Sequence, residues 1–456
     1  MTVVTRFAPS PTGYLHLGGA RTALFNFLYA KNKNGVFKIR IEDTDLSRNI
    51  NQMSSKIIED LKWLGIITND KVEMQSQNMS AHKEFANSLL NKGLAYKCFE
   101  ETDFKSESFL KKNKKSIWRD VQSNHPSKKK FCIRIKSPNS GKTSVVDKIQ
   151  GKIEIDNSEL DDFIILRTNQ TPTFLLSSVI DDFNMKVTDI LRGDDHLTNT
   201  LRQKVLFDYL NYQPNFAHIS LIHNYDNKKL SKRDSILSIN DYKNKGYLKE
   251  SIINYILRMG WSYGDKEFFS LREAISLFNL ENIGKSPAKI DDTKLNFLNN
   301  HYIKNLENDE LVKRLNCLDE LQEKYKINNY LQKSSDFIGL FKDRCYNLEE
   351  LKETLKILFN FQYSKNEDNQ KVFNDLKKHN ERIYDSFFNL DDWSESSLSL
   401  KIKNLVAELD INFKKLGQPL RMAVIGKVNG PSISSIFSIL GKREVLKRLE
   451  KVFYEK

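Results

Sequence analysis

The sequence predicts a multidomain chain: a parallel α/β domain interrupted by an α+β insertion, then an all-α half. Three observations predict it. The chain opens with a strand, a turn-rich loop, a helix and a second strand. That alternation breaks off near residue 98 and resumes near residue 185. Beyond about residue 239 almost only helical periodicity remains. A length of 456 residues allows two to four structural units. Hydrophobic residues at 39% are enough to build sizeable cores, so 29% charged residues mark a globular chain and not a disordered one.

The first strand is the β-branched run Val3 to Phe7. It stops at Ala8-Pro-Ser-Pro-Thr-Gly13, a loop composition. Leu17, Ala20, Leu24, Phe27 and Leu28 recur at helical spacing, and Phe37, Ile39 and Ile41 alternate along a second strand. This β-loop-α-β unit is the opening of a Rossmann-like, nucleotide-binding sheet. Ile57 to Leu64 and Ala81 to Leu94 add amphipathic helices. From Cys98 to Asn184, short strand-like pieces alternate with polar turns, which makes an insertion. Its part from Lys105 to Lys136 holds eleven basic residues against two acidic ones, Glu107 and Asp120. The sheet resumes at Val187 to Gly193, continues through the helix Leu197 to Leu210, and reaches Ala217 to Ile222. The expected divisions are 1–97 and 185–238 for the two halves of the sheet domain and 98–184 for the insertion. Residues 239–320 and 321–456 are the expected helical parts.

A formal net charge of +13 suits a polyanionic partner, since each cation near a phosphate releases condensed counterions. An AT-rich codon bias enriches Lys, Asn and Ile in the same way, so charge alone does not decide. Cys98, Cys132, Cys317 and Cys345 are scattered and form no CxC or CxxC pair, which signals neither a disulfide framework nor a zinc knuckle. The first residues lack a charged segment followed by an apolar one, and no run approaches the ~18 apolar residues of a membrane span. A cytoplasmic protein away from membranes is expected.

Two short segments carry chemistry. His16, followed by Gly18 and Gly19, opens a helix directly after a strand and a Pro-rich loop. A helix start offers unpaired N–H groups to a phosphate, and the glycines let a flat base or phosphate approach the backbone. The imidazole can then donate a hydrogen bond as charge develops. Alone, such a His-x-Gly is more often a surface cap. Lys229-Leu-Ser-Lys-Arg233 sets cations around one hydroxyl, and two ammonium groups there can grip the β- and γ-phosphates of ATP as the transition state forms. Alone, it too is more often a solvated turn.

Together, His16-Leu-Gly-Gly19 resembles the HIGH signature of class I aminoacyl-tRNA synthetases, and Lys229 to Arg233 resembles KMSKS, in the right order. Arg6-Phe-Ala-Pro-Ser-Pro-Thr-Gly13, Arg40-Ile-Glu-Asp-Thr-Asp45, Val179-Ile-Asp-Asp182 and Ile190-Leu-Arg-Gly-Asp-Asp-His196 are similar to bacterial glutamyl-tRNA synthetases. So is the tail from Gly417 to Leu449. The resemblance runs end to end. It implies an acceptor-stem-binding insertion, a helical stem-contact part and a helical anticodon-binding part. It implies ATP and Mg2+, glutamate, and tRNA-Glu with tRNA-Gln as a second candidate, handled by a monomer. His16, Gly18, Lys229, Ser231 and Lys232 take the catalytic positions. Ala8, Ser10, Thr12, Gly19, Asp195 and Ile222 join His16, Gly18, Lys229 and Lys232 around ATP. Arg6, Ala8, Ser10, Glu42, Phe174, Ser178 and Arg192 surround glutamate. Arg192 would read the γ-carboxylate through its fork, and Glu42 would take the ammonium. Asp45 and Arg344 are tRNA contacts.

The chain departs from this pattern in three places. Phe174 stands where relatives usually carry Tyr, Asn69 to Ser76 lacks the usual acidic-glycine-proline turn, and Cys98 stands alone where some relatives have a CxC zinc site. No zinc or other metal bound by the protein itself is therefore expected. A glutaminyl enzyme is disfavoured by Ser-Pro-Thr-Gly in the first loop, by Arg192 and by the helical tail. A truncated glutamyl-queuosine enzyme is excluded by the long C-terminal half. A silent tRNA-binding paralogue sits poorly with His16, Lys229 and Lys232, and a dehydrogenase with the absence of GxGxxG.

Overall fold

The computed structural model describes residues 2–44, 50–99, 115–121, 126, 129–224, 237–315, 330–359, 371–374 and 376–454. The chain divides into two compact units, Met1–Tyr242 with Ile252–Asp292, and Lys243–Ser251 with Thr293–Lys456. No helix among the described residues is long and apolar enough to cross a membrane.

In the first unit, β1 (Val4–Phe7) and β2 (Val36–Ile41) run parallel, from Val4↔Val36 to Phe7↔Ile39. The helix α1 (Leu17–Asn32) crosses between them and buries Leu17, Ala20, Leu24 and Leu28 completely, the face that its spacing predicts. After α2 (Ile50–Leu64), β3 (Glu73–Met74) extends the sheet beyond β2. Next come α3 (Met79–Asn91) and β4 (Ala95–Cys98).

The inserted segment builds two things. The strand β5 (Cys132–Ile135) lies antiparallel between β4 and β8 (Ile164–Leu166), with Cys132 directly opposite Cys98. Both thiols are buried, and contact with Cys98 together with burial pushes the Cys132 thiol far up, which keeps it unreactive at neutral pH. The hairpin of β6 (Lys142–Asp147) and β7 (Gly151–Asp156) instead joins the main sheet. After α4 (Phe174–Asn184) come β9 (Asp189–Gly193), α5 (Leu197–Tyr209) and β10 (Asn215–Ile219). The resulting order is β7-β6-β10-β9, with β9 and β10 parallel over their whole length. The backbone bond from Thr188 N to Val4 O, 2.9 Å, lays the start of β9 beside β1. The chain thus steps outward from β1 to β2 on one side and from β9 to β10 on the other, the switch point where open α/β sheets hold ligands. Short strands β11 (Ile222–His223) and β12 (Ala288–Lys289) also pair in parallel.

The second unit is helical over its described residues: α6 (Asp292–Asn305), α7 (Asn308–Arg314), α8 (Tyr330–Phe341), α9 (Leu348–Phe359), α10 (Asn380–Phe388), α11 (Glu395–Glu408), α12 (Phe413–Ile425), α13 (Ile433–Leu440) and α14 (Lys442–Phe453). Ser394, Asn412 and Ser432 cap three of them with side-chain oxygens. Leu351, Leu355, Phe387, Leu405, Phe437 and Leu449 are fully buried in its core. The strap Lys243–Ser251 belongs to this unit. Asn299 accepts from Leu248 N (2.9 Å) and Ser251 Oγ (2.6 Å), and Leu348 N donates to Gly246 O at 2.8 Å. Gly246 has φ +77°, and a Cβ there would lie 2.6 Å from Glu349 N, so only glycine fits.

Candidate active site

A cleft of about 800 Å³ opens at the β1/β9 switch point. It is lined by Arg6, Ala8, Ser10, His16, Gly18, Gly19, Glu42, Phe174, Ser178, Arg192, Asp195 and Ile222, all named from sequence. Thr12 is exposed and lies outside the lining, its N–H held by Ser10 O at 2.8 Å. Asp45, Lys229, Ser231, Lys232 and Arg233 fall outside the described residues. The flanks of the last four meet the cleft: Ile222 lines it, and Ser238 bridges to His16.

His16 is the N-cap of α1, where Nδ1 accepts from Gly19 N at 3.3 Å. A Cβ on Gly18 would lie 3.2 Å from both Cε1 and Nδ1 of that ring. The glycine therefore keeps the imidazole in place as well as opening the backbone. Arg21, one turn into α1, reaches the carbonyls of Ser220 and Met259 and ties the cleft floor together.

Behind the cleft runs a buried ladder of alternating charge. Arg6 forks onto both Asp182 oxygens (3.0 and 3.2 Å), and Arg40 Nη1 reaches the same carboxylate at 2.6 Å. Arg40 Nη2 donates to Glu42 at 3.1 Å. Burial opposes every charge here. Arg6 and Arg40 outweigh it at Asp182, whose carboxyl is held below its usual range, while Asp182, Glu42 and Asp181 keep Arg40 above its own. Glu42 gets only the longer bond, and burial pushes its carboxyl up. Its neighbour Asp181 is held by Gln75 (2.7 Å), Asn78 (3.0 Å) and His82 (2.7 Å).

Arg192 is different. It is the penultimate residue of β9, almost fully buried, and its bonds run to neutral acceptors: His218 Nε2 (3.2 Å), Thr200 Oγ1 (2.7 Å) and Gln203 Oε1 (2.7 Å). Among the described residues no carboxylate forms an ion pair with it. Burial first, then the Arg6 charge, pull its guanidinium down to about 9. A cation in that state favours an arriving anion. Ser178 faces this group from below, donating to Phe174 O (2.7 Å) and accepting from Gln203 Nε2 (2.6 Å). The Phe174 ring lies 5.3 Å from the His196 ring, which burial and Arg192 lower to about 4, so a neutral imidazole borders the cleft.

Sequence reading assigned no role to Arg21, Arg40, Asp182, His196, Thr200, Gln203 or His218. Arg40, Asp182 and His196 lay inside the motif strings. His218 carries one signal, a lone imidazole inside the apolar run Phe216 to Ile219.

Arg344 lies in the second unit, in a short turn after α8. It lines a separate cavity of about 760 Å³ with Tyr247, Lys427, Glu350 and Asn429. Among the described residues no group of three or more His, Cys, Asp or Glu could hold a metal ion.

Comparison with known proteins accords with this arrangement. Residues 2–297 match the family described as tRNA synthetases class I (E and Q), catalytic domain, and residues 296–453 match the anticodon binding domain. The chain is 43% identical to glutamate--tRNA ligase 2 of Ehrlichia chaffeensis and 42% identical to glutamate--tRNA ligase of Pelagibacter ubique, over 98% of both chains in each case. The crystal structure of a glutamate tRNA ligase from Elizabethkingia meningosepticum in complex with its amino acid is similar at a TM-score of 0.86. It shares 26% identity and full coverage of both chains. A sheet split at β1/β9, a histidine-capped helix start and a buried Arg192 held by neutral partners thus sit in a chain that belongs to the class I tRNA synthetases of the E and Q type.

Proposed function

We propose that the chain activates L-glutamate with ATP and transfers it to the 3′ end of tRNA-Glu. The observation that carries this reading is Arg192, a buried cation at the cleft wall whose partners are all neutral. The γ-carboxylate of glutamate completes it by accepting from Nη1, the one nitrogen that these bonds leave over, whereas the uncharged amide of glutamine would leave the buried cation unanswered. Glu42, on the same wall, takes the α-ammonium, and Arg6 adds positive potential while anchored to Asp182. Phe174 and Ser178 close that side.

ATP occupies the side formed by Ala8, Ser10, His16, Gly18, Gly19, Asp195 and Ile222, with Thr12 at its outer edge. An oxygen of the glutamate α-carboxylate attacks the α-phosphorus, and the bond to pyrophosphate breaks. His16 and the N-terminus of α1 hold the charge that develops there. Lys229, Ser231 and Lys232 close over the departing phosphates. A ribose hydroxyl of the tRNA terminus then attacks the adenylate carbonyl, and AMP leaves. Among the described residues no carboxylate cage is formed, so Mg2+ fits as the companion of the nucleotide phosphates, whose charge it neutralises. Asp45 meets the tRNA end and Arg344 the anticodon loop. The protein works as a cytoplasmic monomer, with tRNA-Gln as a second candidate acceptor.

Pyrophosphate exchange with glutamate, run with and without cognate tRNA, tests this. Exchange that requires tRNA supports the reading, and no exchange with any cognate tRNA overturns it. Charging tRNA-Glu and tRNA-Gln side by side fixes the acceptor.

A further inference from the structure

We infer that Asp147 and His218 are positioning residues for Arg192, holding its fork in the glutamate-reading orientation without neutralising it. This rests on the proposal above that Arg192 meets the side-chain carboxylate.

The polarity of two of the bonds around Arg192, those to His218 and Gln203, is determined from outside. Asp147 Oδ1 accepts from Ile149 N (2.9 Å) and Gln150 N (2.8 Å), and Oδ2 receives His218 Nδ1 at 2.6 Å. A carboxylate only accepts, so the imidazole hydrogen must lie on Nδ1. Nε2 is then an acceptor, facing the Thr200 hydroxyl at 2.9 Å and taking the Arg192 Nε hydrogen at 3.2 Å. On the other flank Gln203 Nε2 donates to Ser178 Oγ at 2.6 Å, which turns Oε1 toward Arg192 Nη2. His218 and Asp147 are fully or almost fully buried and do not line the cleft. They belong to different strands, 71 residues apart, where β10 meets β6.

The arrangement separates two tasks that a direct carboxylate partner would merge. An acid bonded straight to Arg192 would orient it and also occupy the charge meant for the substrate. With a neutral imidazole between, the acid directs the fork and the cation stays available.

The test uses the full-length protein and measures KM for glutamate, KM for ATP and kcat in tRNA charging, with thermal melting alongside. Asp147→Asn is isosteric but places an N–H opposite Nδ1. The ring hydrogen then moves to Nε2 and faces the Arg192 N–H. We expect KM for glutamate to rise roughly tenfold or more, since a hydrogen bond to a charged group is lost and a repulsion replaces it. KM for ATP should stay within about twofold. His218→Asn, too short to offer the Nε2 acceptor, should behave alike, while His218→Gln, whose amide oxygen reaches that position, should recover most of the affinity. If all three variants lower the melting temperature together and leave KM for glutamate unchanged, the pair merely fastens β10 to β6 and the inference falls. Arg192→Gln separates the two readings. Should it leave KM for glutamate unchanged, the assignment of Arg192 itself fails. Should it raise KM while Asp147→Asn and His218→Asn do not, only the positioning role fails.

Discussion

At Gly18 a methyl group fits only if the His16 ring gives way. A Cβ there would press on His16 at 3.2 Å, so Gly18→Ala should turn the imidazole away from its N-cap position. Misplacing a group that stabilises developing charge lowers turnover, here by roughly tenfold to a hundredfold, with KM for glutamate little changed in pyrophosphate exchange. Phe174 calls for the opposite experiment. Phe174→Tyr adds a hydroxyl at the cleft wall, and one new hydrogen bond of about 0.5–1.5 kcal/mol should lower KM for glutamate roughly two- to tenfold. Glu42 supplies a pH test. Its carboxyl titrates above the ordinary range because burial outweighs Arg40, and only the ionised form attracts an ammonium. KM for glutamate should therefore climb as pH falls, starting above the ordinary carboxylate range, and Glu42→Gln should abolish that dependence at a uniformly raised KM. Arg192 and Glu42 were legible because each closes a strand within a recognisable string. Asp147 and His218 were not, because a pair 71 residues apart leaves no spacing to read.

At the level of elements, α4 does more than pack. It delivers Asp182 to two guanidinium groups, Arg6 on β1 and Arg40 on β2, and so fastens one helix to two strands. Asp182→Ala would strip Arg6 of its buried ion-pair partner and leave Arg40 only Glu42 and Asp181, and the loss should reach about 3–5 kcal/mol in urea denaturation. The opening β-loop-α-β unit was plain from its alternation and its 3.6-residue spacing, because those local patterns dictate which faces are buried. The hairpin β6–β7 was readable as strands but not as part of the main sheet. Its backbone pairing with β10 is the single register pair Phe216↔Asp147 with the bond from Lys148 N to Phe216 O, and pairing of that kind has no local code.

For the whole molecule, the +13 charge implies that tRNA affinity falls steeply with salt. Arg344 belongs to the unit matched by the anticodon binding domain. Arg344→Ala should raise KM for tRNA and flatten its logarithmic salt dependence by roughly one charge, while KM for glutamate with saturating tRNA stays unchanged. The all-α character of this half was legible from periodicity alone. The membership of Lys243–Ser251 was not, since nine residues inside a longer helical stretch carry no sign of which unit they join.

That strap has a consequence during synthesis. Leu248 and Ser251 leave the ribosome some fifty residues ahead of Asn299, which takes both their hydrogen bonds, and about a hundred ahead of the Leu348 amide that reaches back to Gly246. At a bacterial pace of ~5–20 residues per second, these positions wait several seconds without partners. The nascent first unit therefore carries a loose end that only its downstream sequence can bind, and a ribosome that stalls between residues 260 and 340 should yield an intermediate open to proteases at the strap.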